Sequence, residues 1–310
     1  MKYLSTFVVI LVLSTQGFGQ FSYYKFSGQG DSLYRAGEWR ASAEAYSRAF
    51  GANNNGNGAM TFRYNAACSW ALAGEMDSAF HHLERAVNDH NYSAYDHIVK
   101  DKDLVTLHQD VRWVPLMGKV KSNKDKTEAK FNKPFAARLD SIYQEDQKFR
   151  RIVSDVEKEH GVNSKEMYEL WKTINRVDSL NVIEVSAILE THGWLGQEVV
   201  GREGNMALFL VIQHANLETQ EKYLPMMREA VKEGKAQGSS LALLEDRVAL
   251  RQGRKQIYGS QIVRDENGVY QIAPIEDEGN VNKRRAEVGL EPLEDYVKPL
   301  GMTYIPASDR

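Results

Sequence analysis

Cysteine is almost absent: the 310-residue chain has one, Cys68, so no intramolecular disulfide can form even in an oxidising compartment. Set in Asn65-Ala66-Ala67-Cys68, it reads as a small buried hydrophobe. Charge of one sign is lacking too. The formal net charge of −3 gives no global basic surface, so nucleic acid is not an implied partner. No segment approaches the ~20 uninterrupted apolar residues of a membrane-spanning helix, and none is expected in the mature protein. Five histidines, His81, His82, His90, His97 and His108, crowd the front half without any metalloprotease-type spacing, so no metal site and no cofactor is expected. What remains, 42 % hydrophobic and 26 % charged residues, is ordinary for a soluble globular protein long enough for two domains.

The chain opens with Met1-Lys2, an apolar run from Tyr3 to Leu13, and Gly17-Phe18-Gly19, which puts small residues at the −3 and −1 positions. This is the pattern of a cleavable secretory signal over residues 1–20. The run is too short to cross a bilayer, and no cysteine stands at the cleavage point to carry a lipid. A periplasmic or secreted mature protein is therefore expected.

Two stretches share one pattern. Gly30, Leu33, Gly37, Trp39, Ser42, Tyr46 and Ala49 superpose on Ala67, Trp70, Gly74, Met76, Ala79, Leu83 and Ala86 with a shift of 37 residues. This resembles the tetratricopeptide repeat, whose small residues let paired helices approach and whose aromatics fill the gaps. The excess over the usual length falls in the polar loop from Asn53 to Gly58. Asp103-Leu104, Leu107, Val111, Trp113 and Leu116 then resemble the closing hairpin of such an array. The TPR-like region spans residues 21–118, and the resemblance implies a concave face for a protein or peptide partner. Lysines 119, 121, 124, 126, 130 and 133 next mark residues 119–134 as an exposed linker.

Helical periodicity resumes at Phe135 and runs through Leu139, Ile142, Phe149, Ile152 and Val156 to Glu159-His160-Gly161, where glycine suits a C-cap. Further helices are expected over 164–180, 182–192, 205–216, 218–233 and 239–252. Beyond Gly253 the period changes to two. A β-hairpin over 256–274 is expected, turning through Asp265-Glu266-Asn267-Gly268, with a bulge at Gly259 that would gather Gln256, Tyr258 and Gln261 on one face. A basic helix at Asn282–Arg285 and a short one begun by Pro292 complete the domain near residue 300, leaving 301–310 as a tail. The fold class is mainly α: a short TPR-like helical repeat, then an α-helical domain with one β-hairpin.

Asp246 is the sharpest anomaly. On a helix its neighbours three and four positions away are Ala242, Leu243, Ala249 and Leu250, so its side chain leaves from an apolar face. A carboxylate held there must be paired or hydrogen-bonded, with Arg247 or a group from another segment as partner. His192 sits at a helix end before Gly193, and His214 ends an otherwise apolar helix.

His192-Gly193-Trp194, Gln213-His214-Ala215, Asp246-Arg247, Gln256, Tyr258-Gly259-Ser260-Gln261 and Arg284-Arg285 together resemble a bacterial family catalogued only as a domain of unknown function. The resemblance covers roughly residues 135–300 and implies no activity. From the residues themselves, His214, Asp246 and His192 are the catalytic candidates, with Asp246 orienting His214. Arg247, Gln213, Gln256, Tyr258, Gln261 and Trp194 are the ligand-binding candidates. A metal held by His192, His214 and Asp246 would be chemically reasonable, but the spacing gives it no local support. Three readings stay open: an exported scaffold or binding protein whose second domain takes a small-molecule ligand or peptide, an envelope hydrolase using this cluster, or a purely structural role in which the same residues form a buried network.

Overall fold

The computed structural model describes residues 22–53, 59–265 and 269–305. The expected signal segment, the loop 54–58, the turn residues 266–268 and the end of the tail lie outside them. The chain divides into two compact units, with the division between Ala129 and Lys130.

The first unit is built from helix pairs, and two glycines show its periodicity. Helix α1 (22–35) is followed by α2 (Trp39–Ala52), and α3 (Ala59–Leu72) by α4 (Met76–Asp89). Gly37 and Gly74 close the two turns at φ 79° and 81°, in the left-handed region that favours glycine. Their amides donate to Tyr34 O and Ala71 O, both at 3.0 Å, and the next amides, of Glu38 and Glu75, reach back to Leu33 O and Trp70 O. The same pattern therefore recurs at the offset read from the sequence. Close approach follows from small residues: a Cβ on Gly30 would stand 2.8 Å from the Tyr46 ring, and Ala79 is fully buried. A short helix α5 (Tyr95–Ile98) and a 3-10 turn (Lys102–Leu107) lead into α6 (Trp113–Glu128).

Helix α6 overturns the linker reading of residues 119–134. The lysines lie toward solvent, but Trp113, Leu116, Met117 and Val120 repeat at helical spacing and pack into the core that holds Leu83, Leu104 and Leu107. Asn123 adds hydrogen bonds from its side-chain amide to Val87 O at 3.0 Å and Tyr92 O at 3.2 Å. Only 129–132 lie between this helix and the next.

The second unit is helical with one small hairpin. Helices α7 (Lys133–Arg150), α9 (Lys165–His192), α10 (Gln197–His214), α11 (Leu217–Lys232) and α12 (Gly238–Arg251) surround a core of Leu139, Ile142, Val185, Leu208, Ile212, Met227 and Leu244, while α8 (Val153–His160), with no buried residue, packs on α9. Caps mark their starts: Asn132, Ser164 and Asn216 side chains accept from the amides of Phe135, Met167 and Thr219. Two boundaries differ from expectation. The separate helices over 164–180 and 182–192 are one helix of 28 residues, since no glycine or proline interrupts it and the buried Asn181 is carried inside. Helix α10 begins earlier, at Gln197, and is interrupted at Gly201 (φ 75°), where a Cβ would stand 3.1 Å from the Phe131 ring.

The hairpin is shorter than 256–274. Strands β1 (Ile262–Arg264) and β2 (Tyr270–Ile272) pair antiparallel with Val263 opposite Gln271. Gln256 lies before β1 and makes an isolated parallel bridge to Ile275. Helices α13 (Val281–Glu287) and α14 (Leu293–Val297) finish the unit.

Candidate functional site

Asp246 is a structural clasp. It stands on α12, fully buried, and its carboxylate collects backbone amides instead of a cation. Oδ1 accepts from Ile257 N at 2.6 Å and Tyr258 N at 2.9 Å, and Oδ2 from Ser260 N at 2.9 Å. The left-handed Gly259, at φ 71°, turns the chain so that these amides converge. Gln256, also fully buried, donates to Gln261 O at 3.1 Å and Ala273 O at 2.7 Å and accepts from Gln261 N at 2.8 Å. From the far side, Arg285 donates to Tyr258 O at 2.7 Å and Glu291 O at 2.6 Å. Every member of this network holds the segment 256–261 in place. The expected pairing of Asp246 with His214 does not occur, because the acid is saturated by main-chain donors.

His214 has another carboxylate. Its Nδ1 lies 2.9 Å from Oδ1 of Asp146 on α7, a side chain 1 % exposed. Arg150, one turn further along α7, donates to Asp146 O at 2.9 Å and to both oxygens of Asp178 on α9, at 2.9 and 2.7 Å. Gln147 donates to Asp146 Oδ2 at 2.8 Å. Burial, the largest influence, raises the Asp146 carboxyl. The His214 hydrogen bond, the charges of His214 and Arg150, and the Gln147 amide outweigh it and hold the group below its ordinary value. Three helices thus meet at a charged centre at the edge of the core, where His214, Arg150 and Asp178 keep 18, 17 and 13 % exposure.

Arg247 joins this centre from α12. It donates to Gln213 O at 2.9 Å, the carbonyl just before His214, and to Gln261 Oε1 at 3.0 Å. It makes no ion pair among the described residues. Burial first, and then the like charges of Arg251 and Arg150, lower its pKa, which places Arg247 within electrostatic reach of both. Gln261 therefore bridges the clasp and the charged centre.

The remaining candidates disperse. Tyr258 offers its hydroxyl to Glu245 at 3.5 Å, and Gln213 is buried with its amide donating weakly to Leu243 O at 3.4 Å. His192 is exposed and meets the Phe135 ring edge-on at 4.6 Å, while Trp194 is buried in the main core. His192, His214 and Asp246 are not brought together, so they form no metal site. Asp146, Asp178 and His214 do lie within 4.8 Å of one another, but Arg150 already supplies the cation for both acids, and a metal would have to displace it.

Sequence reasoning missed Asp146, Arg150 and Asp178. A signal existed: Asp146 follows Leu139 and Ile142 at helical spacing, so an acid occupies the buried stripe, with Arg150 one turn on.

The fold and this centre define a helical domain with one small hairpin and a histidine–carboxylate pair at its edge. Residues 137–305 match the model of a family of unknown function, DUF6624, and the chain belongs to that family. The matched span contains both the clasp and the charged centre. No curated protein and no solved structure matches the chain.

Proposed function

We propose that the family domain is a hydrolase acting on an anionic small molecule, with His214 as the proton-transfer group, Asp146 as its orienting carboxylate and Arg247 as the cation facing the substrate's negative group. The observation carrying this reading is the 2.9 Å contact between His214 Nδ1 and the buried Asp146 carboxylate. A buried acceptor on Nδ1 selects the Nδ1–H tautomer and leaves Nε2 as the atom that takes or gives a proton. Arg150 and Gln147 keep Asp146 in place, so the ring is held from behind. Arg247, half-buried and without an acid partner among the described residues, supplies positive charge beside the pair.

Around this domain we place the rest of the chain. The recurrence of the Gly37 and Gly74 turns supports a TPR-like docking unit for a protein or peptide, and the pattern over 1–20 supports export to the periplasm or beyond. The second reading is a module that binds the anion without turnover. Arg247 favours it, since a guanidinium with no acid partner among the described residues serves binding as well as catalysis.

A panel of chromogenic phosphate esters, carboxylate esters and glycosides tests the proposal. Activity on an anionic member should vanish in His214→Gln and fall about 100-fold or more in Asp146→Asn, in line with typical acid–base contributions. Activity that survives His214→Gln would overturn the catalytic role. Saturable binding of an anionic ester without turnover would select the second reading.

A further inference from the structure

Helix α10 ends on His214, and the carbonyls on either side of that residue are both held by arginines of one other helix. Arg247 Nη1 donates to Gln213 O at 2.9 Å, and Arg251 Nη1 donates to Ala215 O at 2.7 Å. The two arginines stand four residues apart on α12, one turn along the same face. The Gln220 side chain adds a further bond, from Nε2 to Gln213 O at 2.8 Å.

A helix end needs such donors, because its last carbonyls find no amide within the helix. Ala215 is extended, at φ −67° and ψ 173°, so the chain leaves the helix just after His214. Cations are favoured at this end as well, where the helix dipole is negative. That much would make both arginines caps. Their placement does more, since bonds that bracket one residue fix the backbone from which the His214 side chain leaves. The angle at which Nδ1 meets Asp146 Oδ1, at 2.9 Å, is set with it. Arg247 is braced in turn by Gln261 Oε1 at 3.0 Å. Arg251 is exposed and forms no ion pair among the described residues, and its one hydrogen bond there goes to Ala215 O.

We infer that Arg251 is a positioning residue for His214: by holding Ala215 O it keeps the imidazole turned so that Nδ1–H points at Asp146 and Nε2 is left for proton transfer. This role depends on the proton transfer proposed for His214 above. A cap that served helix stability alone would not select one tautomer of the ring, and the tautomer separates the two roles.

Long-range proton–nitrogen NMR spectra of the full chain, carrying isotope-labelled histidine and held at a pH where the ring is neutral, test this. His214→Gln assigns the His214 signal among the eight histidines. The wild type should show the Nδ1–H tautomer. In Arg251→Met the ratio of Nδ1–H to Nε2–H should fall about tenfold, a loss that one charge-assisted hydrogen bond can account for. Arg251→Lys, which keeps a cationic donor, should recover most of it. An unchanged ratio in folded Arg251→Met overturns the positioning role and leaves that of His214 standing. A wild-type ring protonated on Nε2 overturns the role of His214, and the positioning role with it. Circular dichroism checks folding, and Arg251→Gln replaces Arg251→Met should the latter not fold. Failure of both to fold would make Arg251 a structural cap and overturn the positioning role.

Discussion

His214 Nδ1 and Asp146 Oδ1 meet at 2.9 Å across 68 residues of chain, joining the last turn of α10 to the C-terminal part of α7. The two helices pack directly against each other, and Arg150 extends the link to α9 through Asp178. Three of the core helices of the second unit thus share one charged junction. Within it Asp146 is buried, at 1 % exposure, while the His214 side chain keeps 18 %.

The clasp and the junction should respond differently to mutation. Asp246→Asn keeps one acceptor oxygen but turns an amide donor toward main-chain N–H groups that need acceptors. Loss of charged hydrogen bonds to amides at 2.6 to 2.9 Å should cost roughly 3 kcal/mol or more of stability. Urea unfolding followed by circular dichroism measures this, and a near-neutral result would show that the segment 256–261 is held by other contacts.

Acid should weaken the first unit before its carboxylates protonate. His82 is held neutral in the folded state, its pKa pushed down to about 3 by burial and then by the charges of Arg63, His81 and Arg85. A free histidine titrates at ~6.5, so between ~6.5 and ~3 the unfolded chain binds the extra proton and stability falls as pH falls. Stability from this group is fully present above ~6.5. Denaturation midpoints at pH 7.5, 6, 5 and 4 should decline in the wild type, and His82→Asn should flatten the decline.

Trypsin should cut the folded protein first at Lys130. The lysines of α6 at positions 119, 121, 124 and 126 sit on a helix tied down by Val120 and Asn123, whereas Lys130 lies in the break before α7. Mass analysis of the first fragments decides the matter. Primary cutting between Lys119 and Lys126 would restore a linker there.

The helical character of both halves, the repeat offset and the need of Asp246 for a hydrogen-bonding partner were legible because each leaves a local mark: matched glycines, apolar periodicity, an acid on an apolar face. The lysine-rich segment misled because its six lysines hide the sparse stripe of Trp113, Leu116, Met117 and Val120 that packs α6. The partner of His214 was out of reach for another reason. Asp146 and Asp246 both occupy apolar faces, and only the tertiary packing of α7 on α10 decides which one meets the ring. Asp246 was claimed by amides that a left-handed Gly259 presents, a geometry the strand pattern did not foretell.

The most direct test of the central claim, that the His214 ring is placed for chemistry and not to hold the fold, is the urea unfolding of His214→Gln beside the wild type. With the ring gone, Asp146 retains hydrogen bonds from Arg150 and Gln147, so the account predicts stability within about 1 kcal/mol of the wild type. A loss of ~3 to 5 kcal/mol, the cost of a buried charge deprived of its necessary partner, would contradict it and make the pair a structural lock.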